Sequence, residues 1–303
     1  MTRRQALKSA PIALFALASG ASSPAATEIH TKMQTRPIPS SREPLPVIGC
    51  GTYRTFDVGA STEERAPLAQ VLQVLFAAGG SVIDSSPMYG AAEDVVGDLL
   101  AQAKIRPQAF LATKVWTRGR RAGEAQIDRS FALFKDARID LIQVHNLLDW
   151  RVQLPLLREL KAMHRIRYLG VTHYSASAYA DLEAVLRSET LDFVQVNYAL
   201  NDAEAERRIL PLAAERGVAV IINQPFGGGG LLKSLLARPL PPWAREIDCA
   251  SWAQILLKFV LGNPAVTCVI PGTGRPEHMA DNVGAGFGRL PDAGMRQRMR
   301  EAL

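Results

Sequence analysis

Residues 82–90, Val-Ile-Asp-Ser-Ser-Pro-Met-Tyr-Gly, begin as an apolar strand and break at an acid, Asp84, with a phenol, Tyr89, five residues on. Two more polar residues close apolar runs downstream: Lys114 at the end of AFLATK and His145 at the end of DLIQVH. Singly, each has an ordinary reading: a turn acid, a packed ring, a lysine whose head reaches water, a core histidine. Together they make coherent chemistry. A phenol, with a reference pKa of about 10, is a poor acid at neutral pH, but an adjacent ammonium favours the phenolate and an aspartate holds that ammonium in place. An imidazole beside the phenol orients a carbonyl oxygen. Such a set delivers a proton to that oxygen while another group delivers hydride to its carbon.

The surrounding sequence must bring the four together. From residue 45 onward, short β-branched runs alternate with longer helical patterns. Strands are expected at 47–51, 81–84, 109–114, 140–145, 167–172, 193–197, 218–223 and 267–270. Helices are expected at 67–78, 91–103, 122–135, 154–164, 177–188, 202–216, 249–261 and 276–283; in the first, Leu68, Val71, Leu72, Leu75 and Ala78 form one apolar stripe. Eight strand–helix units favour an α/β fold of the (β/α)8 TIM barrel type over an open sheet. No G-x-G-x-x-G fingerprint opens the first helix, which counts against a Rossmann domain. In a barrel, chemistry sits at the C-terminal ends of strands, where all four residues fall.

With these residues in place, the sequence resembles the aldo-keto reductases over about residues 45–285, in the acid-to-phenol segment 84–90 and in the contexts TKVW and QVHN. The resemblance implies NAD(P)H-dependent reduction of a small-molecule aldehyde or ketone, with Tyr89 as proton donor and Asp84, Lys114 and His145 completing the catalytic tetrad. It also implies cofactor contacts. Gly51, Thr52 and Tyr53 fall in the segment beside the nicotinamide. Gln195 matches the carboxamide-binding glutamine, and Thr172 and His173 replace a common Ser-Asn pair. Asn223 stands where many members stack a tyrosine. Phe226 and Gly227 begin a glycine run, 227–230, that is either a loop approaching a pyrophosphate or a flexible linker. Thr273, Gly274, Arg275, His278, Asp281 and Asn282 match the adenosine-phosphate site. Arg275 suits a 2′-phosphate, so NADPH is expected with NADH possible, and Gly272 lacks a second basic side chain. Trp116, Trp150, Met88, Phe56 and Phe226 either line an apolar substrate pocket or pack ordinarily. A second class of function stays open, a nucleotide-binding regulatory or sensing module on the same scaffold, distinguished by turnover of a carbonyl panel.

The 303 residues, 48% hydrophobic and 21% charged, suffice for one large domain. The first 25 differ in kind: Arg3, Arg4 and Lys8 precede an apolar run of about a dozen residues and an Ala/Ser tail, the order of a cleavable export signal and too short to span a membrane. TRRQALK resembles the twin-arginine signal. The expected organisation is therefore a signal at 1–25, a lead-in at 26–45 and the barrel at 46–303, in a periplasmic or otherwise exported protein that engages export machinery. Removing residues 1–25 takes away those three positive charges and no acids, and lowers the net charge from +6 to +3. With no basic block interleaved with aromatics, nucleic acid is not an expected partner. Cys50, Cys249 and Cys268 match neither a disulfide framework nor a metal spacing. A monomer is expected from the resemblance alone.

Overall fold

The computed structural model describes residues 32–303; the expected signal segment lies outside the described residues. Two short strands, β1 (Thr35–Pro37) and β2 (Pro44–Pro46), pair antiparallel. Eight more follow among the described residues: β3 (Cys50–Gly51), β4 (Val82–Asp84), β5 (Phe110–Val115), β6 (Ile139–His145), β7 (Ile166–Thr172), β8 (Phe193–Asn197), β9 (Ala219–Asn223) and β10 (Cys268–Val269). These are all parallel, ordered β3 through β10 without interruption. The bridges Ile48–Val269 and Gly51–Gly272 bring the two outer strands together and close the barrel. Every expected strand is present, with ends shifted by a few residues at most.

Among the described residues, ten helices accompany the strands: α1 (Thr62–Ala77), α2 (Ala92–Ala103), α3 (Arg120–Phe134), α4 (Trp150–Ala162), α5 (Tyr179–Ser188), α6 (Ile209–Arg216), α7 (Gly230–Leu235), α8 (Trp252–Leu261), α9 (Pro276–Gly284) and α10 (Ala293–Glu301). α7 falls outside the expected helices, and three others differ from expectation for identifiable reasons. α1 begins five residues before Pro67, because Ser61 caps it: its Oγ accepts from the Glu64 N–H at 3.2 Å and donates to the Glu64 carboxylate at 2.8 Å. The single helix expected over 202–216 is instead a 3-10 turn at Glu204–Glu206 followed by α6, whose first turn contains Pro211. α10 is not expected from the sequence, since Met295 and Met299 are its only buried residues.

Alternation along the strands separates two cores. Val82, Phe110, Ala112, Leu141, Tyr168, Phe193, Ala219, Ile221 and Cys268 fill the barrel, while the intervening Ile83, Leu111, Ile142, Val144, Val171, Val194, Val220 and Ile222 pack under the helices. The antiparallel hairpin plugs the lower end with Ile38 and Leu45, which join the interior cluster. It is fastened there by the Tyr168 hydroxyl, which lies 2.6 Å from the Glu43 carboxylate and 2.8 Å from Ser41 Oγ. Continuing each inward series by two residues toward the C-terminal end changes its character. Val82 leads to Asp84, Ala112 to Lys114, Leu141 to Gln143 and His145, Tyr168 through Gly170 to Thr172, and Phe193 to Gln195. The same strand period that fills the bottom with apolar side chains thus sets the polar ones at the mouth.

Candidate active site

Lys114 is completely buried and Asp84 is 2% exposed. Lys114 Nζ donates to Asp84 Oδ2 at 2.6 Å and to the Ser85 carbonyl at 2.7 Å; the other carboxylate oxygen accepts from Gln195 Nε2 at 2.8 Å. Burial alone would pull the ammonium's pKa down, but Asp84 and then Tyr89 outweigh it, so Lys114 stays above its ordinary value and cationic. The Lys114 nitrogen lies 5.2 Å from the centre of the Tyr89 ring.

From the sequence, Lys114 is expected to lower the pKa of Tyr89. The ammonium does act in that direction, but burial of the phenol is the larger influence and raises the pKa above its ordinary value. Tyr89 is therefore a protonated phenol beside a fixed cation, a form suited to donating its proton only when negative charge arrives. His145 stands edge-on to it, ring centres 6.0 Å apart. Burial first, and then Lys114 and His173, push the imidazole down to about 3, so it is neutral. Its Nδ1 lies 3.1 Å from Ser86 Oγ. The four residues expected to do chemistry are thus assembled at one end of the barrel.

The residues around them divide by what their polar atoms already hold. Gly51 lies where the barrel closes: a Cβ there would stand 2.9 Å from the Ile270 carbonyl oxygen, so a side chain does not fit. Thr52 is buried, its hydroxyl 3.0 Å from both the Asp84 carbonyl and Ser85 Oγ, and it ties the first barrel strand to the tetrad loop. Tyr53 is 53% exposed and flanks Tyr89 with ring centres 4.9 Å apart. Thr172 Oγ1 donates to Gln195 Oε1 at 3.0 Å, and because one N–H of that amide is given to Asp84, Gln195 has one N–H left for a ligand. His173 Nδ1 accepts from the backbone N–H groups of Tyr174 and Ser175, at 3.0 and 3.2 Å, which leaves its proton on Nε2. Asn223 Nδ2 donates to the His173 carbonyl at 3.2 Å, while its Oδ1 is buried without a partner.

The glycine run is a formed turn rather than a linker: Gly227, Gly228 and Gly229 all have positive φ (58°, 66° and 92°), and α7 starts at Gly230. Phe226 packs partly buried against the core beside them. At the far end of the mouth, Thr273 Oγ1 accepts from the Arg275 N–H at 3.1 Å, near Gly274. Asp281 accepts from Gln254 Nε2 at 2.8 Å, Asn282 is buried and His278 is exposed. Arg275, expected to face a phosphate, is paired with Glu277 at 2.5 Å.

Of the candidate substrate-lining residues, Met88 and Trp116 stand exposed at the mouth, and Trp150 carries Arg151 over its ring at 4.3 Å. Phe56 is fully buried in the core and lines nothing. A cleft of about 550 Å³ adjoins the site, walled by Arg118, Asn146–Arg151, His173 and the start of α5. It contains none of the tetrad, and it borders the chemistry through His173 and through the loop that follows His145. The loop forming its wall is unusual: Asn146, Leu147 and Asp149 all adopt positive φ directly after His145. Among the described residues no group of acids, histidines or cysteines is placed to hold a metal ion.

Two residues are missed by reading the sequence alone. Ser86 lies between the acid and the phenol of the 84–90 segment, and its place there is the signal that could have found it. Gln143, two residues before His145 and therefore facing inward, is buried with neither side-chain polar atom paired.

A parallel eight-stranded barrel carrying a buried carboxylate–ammonium pair, a phenol and a neutral imidazole at its C-terminal mouth defines a barrel of the oxidoreductase type. The chain belongs to the Aldo/keto reductase family, whose family model matches residues 47–300. It is 25% identical over 273 residues, 78% of this chain and 80% of the relative, to aldo-keto reductase str7 of Strobilurus tenacellus. It is 27% identical over 205 residues, 62% and 59% of the two chains, to aldo-keto reductase YhdN of Bacillus subtilis. Among solved structures, an aldo/keto reductase of Klebsiella pneumoniae in complex with NADP and acetate superposes with a TM-score of 0.75 at 23% identity, covering 89% of this chain and 95% of that one.

Proposed function

We propose that the protein reduces an aldehyde or ketone to an alcohol with NADPH, Tyr89 being the proton donor. The observation that carries this is the buried Lys114–Asp84 pair set against a protonated Tyr89 and a neutral His145. A module that only binds nucleotide has no chemical need of all four.

The donor set at the mouth fits a nicotinamide cofactor, because Asn223 Oδ1 is a buried acceptor without a partner and Gln195 retains one N–H. Gln195, His173 and Asn223 would hold the carboxamide, the Gly227–Gly229 turn the pyrophosphate, and the segment from Thr273 to Asn282 the adenosine end. The related Klebsiella pneumoniae protein was crystallised with NADP, which supports the choice. The bound cofactor supplies hydride. The chain's residues do the rest: His145 and Tyr89 bind the carbonyl oxygen, Tyr89 gives up its proton as that oxygen gains negative charge, and Lys114 stabilises the phenolate left behind. Asp84, gripped by Lys114 and Gln195, fixes the ammonium and takes no direct part.

The test is Tyr89→Phe. It should leave NADPH affinity within a few-fold and lower kcat by about 10²–10⁴. Near wild-type turnover in that variant would overturn the assignment, and turnover of no carbonyl in a broad panel, with tight cofactor binding, would favour a sensing role.

The segment TRRQALK ahead of an apolar run supports a further reading, that the chain leaves the cytoplasm folded, with its cofactor already bound.

A further inference from the structure

We propose that Ser86 is a positioning residue that locks His145 in the tautomer with its proton on Nε2, facing the carbonyl oxygen. The inference rests on the reductase reading above and adds a residue to it. Ser86 is completely buried, and its Oγ has two neighbours: the Met88 N–H at 3.4 Å and His145 Nδ1 at 3.1 Å. A hydroxyl has one proton to give. The Met88 N–H can only donate, so Oγ accepts there, and its own proton is left with one receiver, His145 Nδ1. Nδ1 then carries no proton, and the neutral ring must hold it on Nε2.

The opposite tautomer fails twice over. A proton on Nδ1 would donate to Oγ and leave the buried Ser86 hydroxyl proton without an acceptor, a costly state for a polar group sealed from water. It would also turn a lone pair of Nε2 toward the substrate oxygen, where two lone pairs repel and no orienting bond forms. Among the described residues, His145 Nε2 makes no hydrogen bond within the chain, so it is free to serve the substrate. His145 is pushed toward neutrality, so tautomer rather than charge decides what it offers.

Ring-nitrogen NMR of the uniformly labelled wild-type protein reads the tautomer directly and without turnover, so its outcome is separate from the success or failure of the proposed reaction. His145 should carry its proton on Nε2, and a proton on Nδ1 in the wild type would overturn the proposal even if no variant folded. In Ser86→Ala the ring should show both tautomers, kcat should fall by about five- to a hundred-fold, the range for leaving a polar partner unmatched, and the NADPH dissociation constant should stay unchanged. Ser86→Thr, which keeps the hydroxyl, should restore the single tautomer and most of the lost rate. A pure Nε2–H ring with kcat within two-fold of wild type in Ser86→Ala would also refute it.

Discussion

Replacing Lys114 by Met separates what its ammonium does for the fold from what it does for the chemistry. In Lys114→Met, Asp84 remains 2% exposed with Gln195 Nε2 as its one side-chain donor, at 2.8 Å. Breaking a buried pair by removing one partner costs about 3–5 kcal/mol, because the charge left behind has neither water nor counter-ion. Asp84→Asn removes the counter-charge of the fully buried ammonium, whatever hydrogen bond the amide oxygen keeps, and should cost a similar amount, about 3–5 kcal/mol. If the losses simply added, the double variant would lose about 6–10 kcal/mol, most of a typical stability of about 5–15 kcal/mol. The double variant buries no charge, however, so it should be more stable than either single one, with a coupling on the order of 3–5 kcal/mol. Urea unfolding of the four proteins, with m-values checked for constancy, measures this coupling. Carbonyl reduction by the same samples should stay about 10²–10⁴ below wild type in both variants lacking Lys114. Additive stability losses would show that the two charges are not coupled, and rescue of kcat in the double variant would show that the ammonium acts only through folding.

Three further outcomes follow from other residues. Arg275 and Glu277 form an exposed pair, 66% and 57% accessible, so Glu277→Gln should free the guanidinium and tighten NADPH by up to about five-fold, the scale of a surface ion pair; an equal change for NADH, measured by fluorescence titration, would rule out a role in cofactor choice. Glu93 is buried, its carboxyl raised by that burial despite the Thr113 hydroxyl donating at 2.5 Å, so the folded state holds its proton more tightly and loses stability as pH rises from about 4.3, the unfolded value. Glu93→Gln should therefore melt progressively higher than wild type as pH is raised above that value and no higher below it, and a gain independent of pH in thermal scans would contradict this. Changing Arg3 and Arg4 to Lys should hold the folded, active precursor in the cytoplasm, and unchanged export of that double variant would exclude the twin-arginine route.

The barrel was legible because its signals are local. Each strand is a β-branched run and each helix a stripe, and their regular alternation leaves few topologies. That Asp84 and Lys114 face inward at the mouth was legible because period two along a strand carries the inward face from Val82 to Asp84 and from Ala112 to Lys114 without any knowledge of the partner strands. What escaped depends on contacts distant in sequence. The plugging hairpin lies in TRPIPSSREPLP, whose four prolines argue against a strand; it pairs regardless because it is an isolated two-stranded unit held from outside by Ile38, Leu45 and the Tyr168 hydroxyl. The pairing of Arg275 with Glu277 depends on which rotamer an exposed guanidinium takes, and no pattern records that. Ser86 is visible in the motif, but its importance exists only once β6 brings His145 within 3.1 Å of it.

The electrostatics of the mouth set the reaction's response to pH. Burial acts on all three titrating groups of the tetrad whose shifts are resolved, and its sign is set by which form is charged. It lowers His145 to about 3 and raises Tyr89, while for Lys114 the neighbouring Asp84 reverses it. Tyr89 and Lys114 thus lie above their ordinary values of about 10 and 10.4, and none of the three changes charge between about pH 5 and pH 9. On the mechanism proposed above, the proton donor Tyr89 and the ammonium that would stabilise its phenolate are both in working form across that interval, and the imidazole stays neutral. The carbonyl kcat/KM at saturating NADPH should accordingly be flat from about pH 5 to 9 and fall only as Tyr89 begins to ionise at higher pH. A stopped-flow profile with an inflection near the ordinary imidazole value of about 6.5, abolished by His145→Gln, would show that His145 titrates in the working enzyme and that burial does not control its charge.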